Sequence, residues 1–220
     1  MFSDFYHSFY YVSLIISALT SVFLIKKVDA PNFFIAILIL ATLVSESVAK
    51  YISFYLKENS NIVYHVFVVV EYGLYCLIFS KLFVQLVFQR WLVVSFVLLF
   101  IGEVINTVFF QPILFSNTNM LIIEALLLVI WALYLFKHIR EDISEEQVFK
   151  KPEFWFASAV LVYYSLNILI WGFHSIKVYN MSHAPLIIYD INLLLSGMLY
   201  LVFAFAVLLN YFKRTRLVNG

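Results

Sequence analysis

Apolar residues in this chain gather into seven runs, at about 5–25, 32–56, 62–83, 91–110, 119–137, 153–174 and 186–212, joined by short polar connections. Each run is at least about 19 residues long, enough at a rise of about 1.5 Å per residue to cross a hydrocarbon core of about 30 Å. None alternates polar and apolar residues in segments of about ten, as the strands of a membrane barrel do. The pattern predicts an all-α polytopic membrane protein, one domain built as a seven-helix bundle. Pro31, Pro152 and Pro185 stand where spans two, six and seven open, a position at which a missing amide hydrogen costs nothing. Pro112 falls in a connection, so fairly straight helices are expected. The longest polar stretch, KHIREDISEEQVFKK at 137–151, holds four acids and four bases and reads as a solvated linker.

Composition agrees with this pattern. The chain is 64% hydrophobic and 12% charged, against roughly 45–50% and 25% in soluble domains. Its net charge of +1 leaves no nucleic-acid footprint. Cys76 is the single cysteine, so no intrachain disulfide forms. The first run follows Asp4 and His7 rather than a basic segment, and is taken as a span rather than a cleaved signal.

Lysine and arginine predict the orientation. Eleven (Lys26, Lys27, Lys81, Arg90, Lys137, Arg140, Lys150, Lys151, Lys213, Arg214 and Arg216) fall on the side of the first, third and fifth connections and the C-terminus. Lys50, Lys57 and Lys177 fall on the other. The excess places the N-terminus outside and the C-terminus inside, across a plasma membrane.

That orientation gives each intramembrane polar group a depth. Glu46 lies in the outer half of span two with Lys50 a turn further out; Tyr64 and His65 are near the outer surface and Glu71 near mid-membrane. Glu103, Asn106 and Glu124 lie on the outer side of spans four and five, and Asn167, His174, Tyr189, Asp190 and Asn192 on that of spans six and seven. At 100° per residue Tyr64, Glu71 and Tyr75 form one stripe, Thr42, Glu46, Ala49 and Ser53 another, and Tyr163, Asn167, Trp171 and His174 a third. Tyr189, Asn192 and Ser196 form a fourth. His65 lies about 100° from the Glu71 stripe and faces a neighbouring helix instead. Lipid satisfies none of these groups, so the stripes should turn inward. The expectation is an outward-facing acidic pocket above an apolar plug.

The candidate chemistry follows from that pocket. Glu46 precedes Lys50 in the favourable i, i+4 order and predicts an ion pair. Glu71, Glu103 and Glu124 have no nearby lysine in sequence, which points to a bound cation, a cationic ligand, or carboxylates that retain their protons. His65, Glu71, His174 and Asp190 are the candidate metal ligands, but no HxxH, HxxxH or HExxH spacing supports them, and no resident cofactor is expected. Span seven has no lysine, so a retinal Schiff base cannot form. Paired spans lack the Gly or Pro breaks of inverted-repeat transporters, and GxSxG and GxxxG are missing.

Three segments, YHVFVVVEY in span three, KPEFWFASAVLVYYS opening span six and INLLLSGMLY in span seven, resemble a group of small, uncharacterised seven-helix membrane proteins common in Bacteroidetes. The resemblance covers most of the chain and draws attention to Tyr64, His65, Glu71 and Asn192. Asp190 departs from it, standing where a less acidic residue is expected. Such proteins are often encoded near sensor kinases, which implies a signalling partner by association. The expected function is a receptor-like or sensory membrane protein. It would bind a small, cationic ligand, an ion or a lipid headgroup in the outer pocket, with membrane lipids around it and an inner-side protein partner such as a sensor kinase. The alternatives are a membrane-embedded metal-dependent lipid hydrolase, a small-solute or proton transporter, and an accessory membrane subunit of a defence or kinase system. Bound metal would mark the first, and a continuous polar path the second.

Overall fold

The computed structural model describes residues 2–83, 85–141, 145–178 and 185–219, with side chains over 4–83, 85–141, 148–173 and 189–216. Seven α-helices run through them: α1 (Phe2–Leu24), α2 (Ala30–Tyr51), α3 (Asn61–Leu82), α4 (Leu86–Ile105), α5 (Thr118–Glu141), α6 (Pro152–Val178) and α7 (Pro185–Asn219). Each contains a segment long and apolar enough to cross a membrane, which makes this a multi-pass membrane protein. Consecutive helices pack on one another and α1 closes the ring against α7, while α2 also meets α7 and α3 meets α5.

Several boundaries differ from the apolar runs. Helix α4 begins at Leu86, not near 91, and α5, α6 and α7 continue past their apolar ends to Glu141, Val178 and Asn219. Apolar runs mark what contacts lipid, whereas a helix continues as long as its backbone hydrogen bonds do, through residues such as Gln89, Arg90 and Arg140. The helices also depart from uniform winding. Helix α2 ends in a π-helical turn, Ile52–Leu56, and α4 in another, Asn106–Phe110, where the Gln111 amide donates to the Asn106 carbonyl at 2.7 Å. Lys57 terminates the first with φ 56°, the left-handed conformation that stops a helix.

The apolar plug is aromatic. Phe156 of α6 stacks against Phe203 of α7 (centroids 5.3 Å apart) and meets Phe79 of α3 edge-on at 5.5 Å, with Tyr75 beside them. In lipid the hydrophobic effect no longer drives helix pairing, so close packing and interhelical hydrogen bonds carry it. The α1–α7 contact shows both. Ser13, Ser17 and Ser21, buried at four-residue intervals, turn a small face toward α7, and Ser17 Oγ donates to the Tyr200 carbonyl at 2.9 Å. The absence of GxxxG suggested no close pairing; the signal was this serine repeat, which performs the same service.

The two ends of the bundle are tied differently. At the α1–α2 turn, Asp29 Oδ1 caps α2 by accepting from the Asn32 amide at 3.1 Å, while Asn210 of α7 donates from Nδ2 to Asp29 Oδ2 at 2.6 Å. At the opposite end Asn59 and Asn61 both donate to the Leu114 carbonyl, at 2.7 and 2.9 Å, joining the α2–α3 and α4–α5 connections. These ends are called below the Asp29 side and the Asn59 side.

Candidate functional site

On the Asn59 side the π-helical end of α4 and the following QPILFSNTN segment build a closed polar network. His65 of α3, 4% exposed, directs Nδ1 at Glu103 Oε1 of α4, 2.7 Å away. Its Nε2 lies 3.1 Å from the Phe115 carbonyl, which can only accept, so Nε2 carries a hydrogen. Nδ1 then either donates to a carboxylate or accepts from a carboxylic acid, and in both cases the pair has no net charge. Thr107 Oγ1 donates to Glu103 Oε1 at 3.0 Å and Asn117 Nδ2 to Oε2 at 2.8 Å. Asn106 donates to Asn117 Oδ1 at 2.9 Å and accepts from Asn119 at 3.1 Å, and Gln111 donates to Thr118 at 2.7 Å. His65 thus faces a neighbouring helix, as its phase predicts. Its partner is Glu103, which the candidate metal-ligand set left out, and the hydrogen-bonding capacity of Glu103 and Asn106 is taken up within the protein.

A second group lies among α1, α2, α3 and α7. The half-buried carboxylate of Glu46 lies near the hydroxyls of Tyr10 and Tyr11 and within electrostatic reach of Tyr64 and Tyr189. The predicted Glu46–Lys50 ion pair does not close. Lys50 Nζ sits instead 3.6 Å above the centre of the Tyr11 ring. Tyr11 projects from α1 across the turn of α2 that carries Lys50, so the ammonium finds the ring face before the carboxylate and keeps its exposure to solvent. The Tyr189 ring meets His7 at 5.6 Å.

Deeper in the bundle Glu71 accepts a 2.9 Å hydrogen bond from the Tyr164 hydroxyl of α6. Glu124 of α5 lies within electrostatic reach of both Glu71 and Glu103, and Glu71 within that of Glu46. On α6 and α7, Tyr163 and Ser196 share a 3.0 Å hydrogen bond, Asn167 Nδ2 donates to the Tyr163 carbonyl at 3.1 Å, and Ser196 donates to the Asn192 carbonyl at 2.8 Å. Trp171 and Asp190 are half-buried, and the His174 side chain lies outside the described residues. Ser53, placed by phase beside Glu46, is exposed, as are all of residues 53–59 that follow the end of α2.

A groove of about 620 Å³ opens between α2 and α3, and its walls are apolar: Leu40, Val44, Val48, Val66, Phe67 and Val70. Among the described residues no three His, Cys, Asp or Glu side chains converge as metal ligands. Residues that sequence reasoning passed over carry much of the polar structure. Tyr10, Tyr11 and Tyr164 resemble ordinary aromatic packing in sequence, and only their contacts with Glu46 and Glu71 single them out. Gln111, Asn117 and Asn119 had a visible signal, an amide-rich connection following a run of acid, amide and threonine at 103–107. Compared with known proteins, the chain matches no family model, no curated protein and no solved structure.

Proposed function

We propose that this is a receptor-like membrane protein that takes a small organic cation at Glu46, in the tyrosine cage formed by Tyr10, Tyr11, Tyr64 and Tyr189. One observation carries the reading: the cage already holds a cation, the Lys50 ammonium on the face of Tyr11, beside a carboxylate that Lys50 does not reach. Carboxylate plus aromatic faces is the chemistry that recognises amines and quaternary ammonium groups. Lys50 is exposed and so can leave when a ligand enters. The basic residues of the Asp29 side supply a surface for an acidic protein partner, such as a kinase, to which occupancy of the cage is communicated.

Thermal unfolding of the detergent-solubilised protein with tetramethylammonium or choline tests the cage. Wild-type protein is stabilised. Glu46→Gln weakens the apparent affinity by at least about tenfold, equivalent to 1.4 kcal/mol, whereas Lys50→Gln strengthens it by removing the internal competitor. Equal responses in all three proteins would refute the cage.

The proposed orientation, with the Asn59 side outside, has its own expected result. In a Cys76→Ala background expressed in bacterial spheroplasts, a membrane-impermeant maleimide labels Ser60→Cys and spares Lys150→Cys until the membrane is lysed. The reverse pattern inverts the topology and with it the proposed direction of signalling.

A further inference from the structure

At the centre of the bundle, between α3, α5 and α6, a cluster of oxygen atoms lies apart from the Glu46 cage. Glu124 is 1% exposed and its Oε1 has no hydrogen-bond partner among the described residues. Tyr75 is 0% exposed and its hydroxyl has only a loose approach to Tyr164 among the described residues, with no closed hydrogen bond. The Tyr75 ring stands edge-on to Tyr164 at 5.6 Å, and Tyr164 donates to Glu71 Oε1 at 2.9 Å. Tyr75 is within electrostatic reach of both Glu71 and Glu124. The charges that act on Glu71 and Glu124 are those of other carboxylates, none of them basic.

Buried polar atoms are rarely left without partners, because each loses its water and gains nothing in return. Two carboxylates and a hydroxyl on two helices, α3 and α5, are therefore an incomplete constellation. We propose that Glu71, Glu124 and the Tyr75 hydroxyl hold a small hard cation, sodium, in the middle of the membrane span. The donors are all oxygen, which selects hard cations over zinc, iron or copper. Calcium takes about six to eight oxygens and magnesium keeps several of its waters. Both divalent ions hold their hydration water far more tightly than sodium does, and a site around the 1%-exposed Glu124 offers little water to replace what is lost. A monovalent ion is stripped of its water at much smaller cost, and it offsets part of the acid excess without a basic side chain. Bound there it joins α3 to α5, helices otherwise in modest contact, and α6 follows through Tyr164.

The test uses the full chain in detergent with no organic cation present, so its outcome does not depend on the Glu46 cage. Sodium chloride is exchanged for potassium chloride at constant ionic strength, and the thermal midpoint is read by tryptophan fluorescence. The wild-type midpoint rises with sodium and saturates. Glu124→Gln loses the rise, and Tyr75→Phe needs at least about tenfold more sodium for half of it. Tyr75→Phe keeps the ring packing and decides the matter if Glu124→Gln fails to fold. A wild-type midpoint indifferent to sodium, an equal response to potassium, a response to micromolar calcium in place of sodium, or a full sodium response in both variants would each overturn the assignment.

Discussion

His65→Ala is expected to destabilise the protein by about 2–3 kcal/mol, measured by denaturant titration in mixed micelles. Two magnitudes bracket the figure. An interhelical hydrogen bond in a membrane contributes about 0.6 kcal/mol on average, while removing one partner of a buried ion pair costs about 3–5 kcal/mol in soluble proteins. The Glu103 carboxyl keeps Thr107 and Asn117 after the imidazole is gone, so the loss stays below the upper limit. The Phe115 carbonyl loses its partner as well, and with it the tie between α3 and the α4–α5 connection. The diagnostic is a double-mutant cycle. Glu103→Gln in the His65→Ala background recovers part of the loss, because the unpaired acid has been removed; strictly additive effects would show that the two residues do not act as a pair.

Gly197 gives the second large effect. A Cβ at this position of α7 stands 2.7 Å from Phe9 Cε1 and 2.9 Å from Phe9 Cδ1 of α1, closer than carbon atoms approach without something moving, with Ser13 Oγ at 3.4 Å in ordinary contact. Gly197→Ala is expected to cost about 1–2 kcal/mol as the Phe9 ring turns aside, and Gly197→Leu about 3 kcal/mol or more as α1 is pushed from α7, within and beyond the usual range for overpacking. The pairing predicts its own rescue. Phe9→Ala opens the space, so Phe9→Ala with Gly197→Ala unfolds at a higher midpoint than Gly197→Ala alone. Failure of that rescue would mean that the glycine is needed for something other than the close approach of α1.

Much of the fold was legible in the chain. Membrane crossing depends on length and mean polarity, which are local and additive, so seven runs gave seven helices, and the helix-opening prolines fell where expected. What misled was the assumption that helices stop where apolar character stops. The π-helical turns at Ile52–Leu56 and Asn106–Phe110 left no mark either, because a change of winding is selected by what the last turns pack against. The inward turn of His65 could be read from its phase relative to Glu71. Its partner could not, since the phase of one helix says nothing about the rotation of the next.

The same division runs through the candidate site. Sequence alone determined which residues are expensive in lipid, Glu46, His65, Glu71, Glu103 and Glu124 among them, because the cost of burying an ionisable group belongs to the residue and its depth. Only the tertiary structure decided how each cost is met. His65 and Glu103 satisfy each other and their amide neighbours, Glu46 lies beside Tyr10 and Tyr11, and Lys50 prefers a ring on α1 to the acid one turn away on its own helix. Glu124 is left with an unfilled oxygen. Those outcomes depend on distances between helices far apart in the chain, set by the packing of small faces such as Ser13, Ser17 and Gly197 and by the aromatic core. Spacing along a single helix carries no record of them.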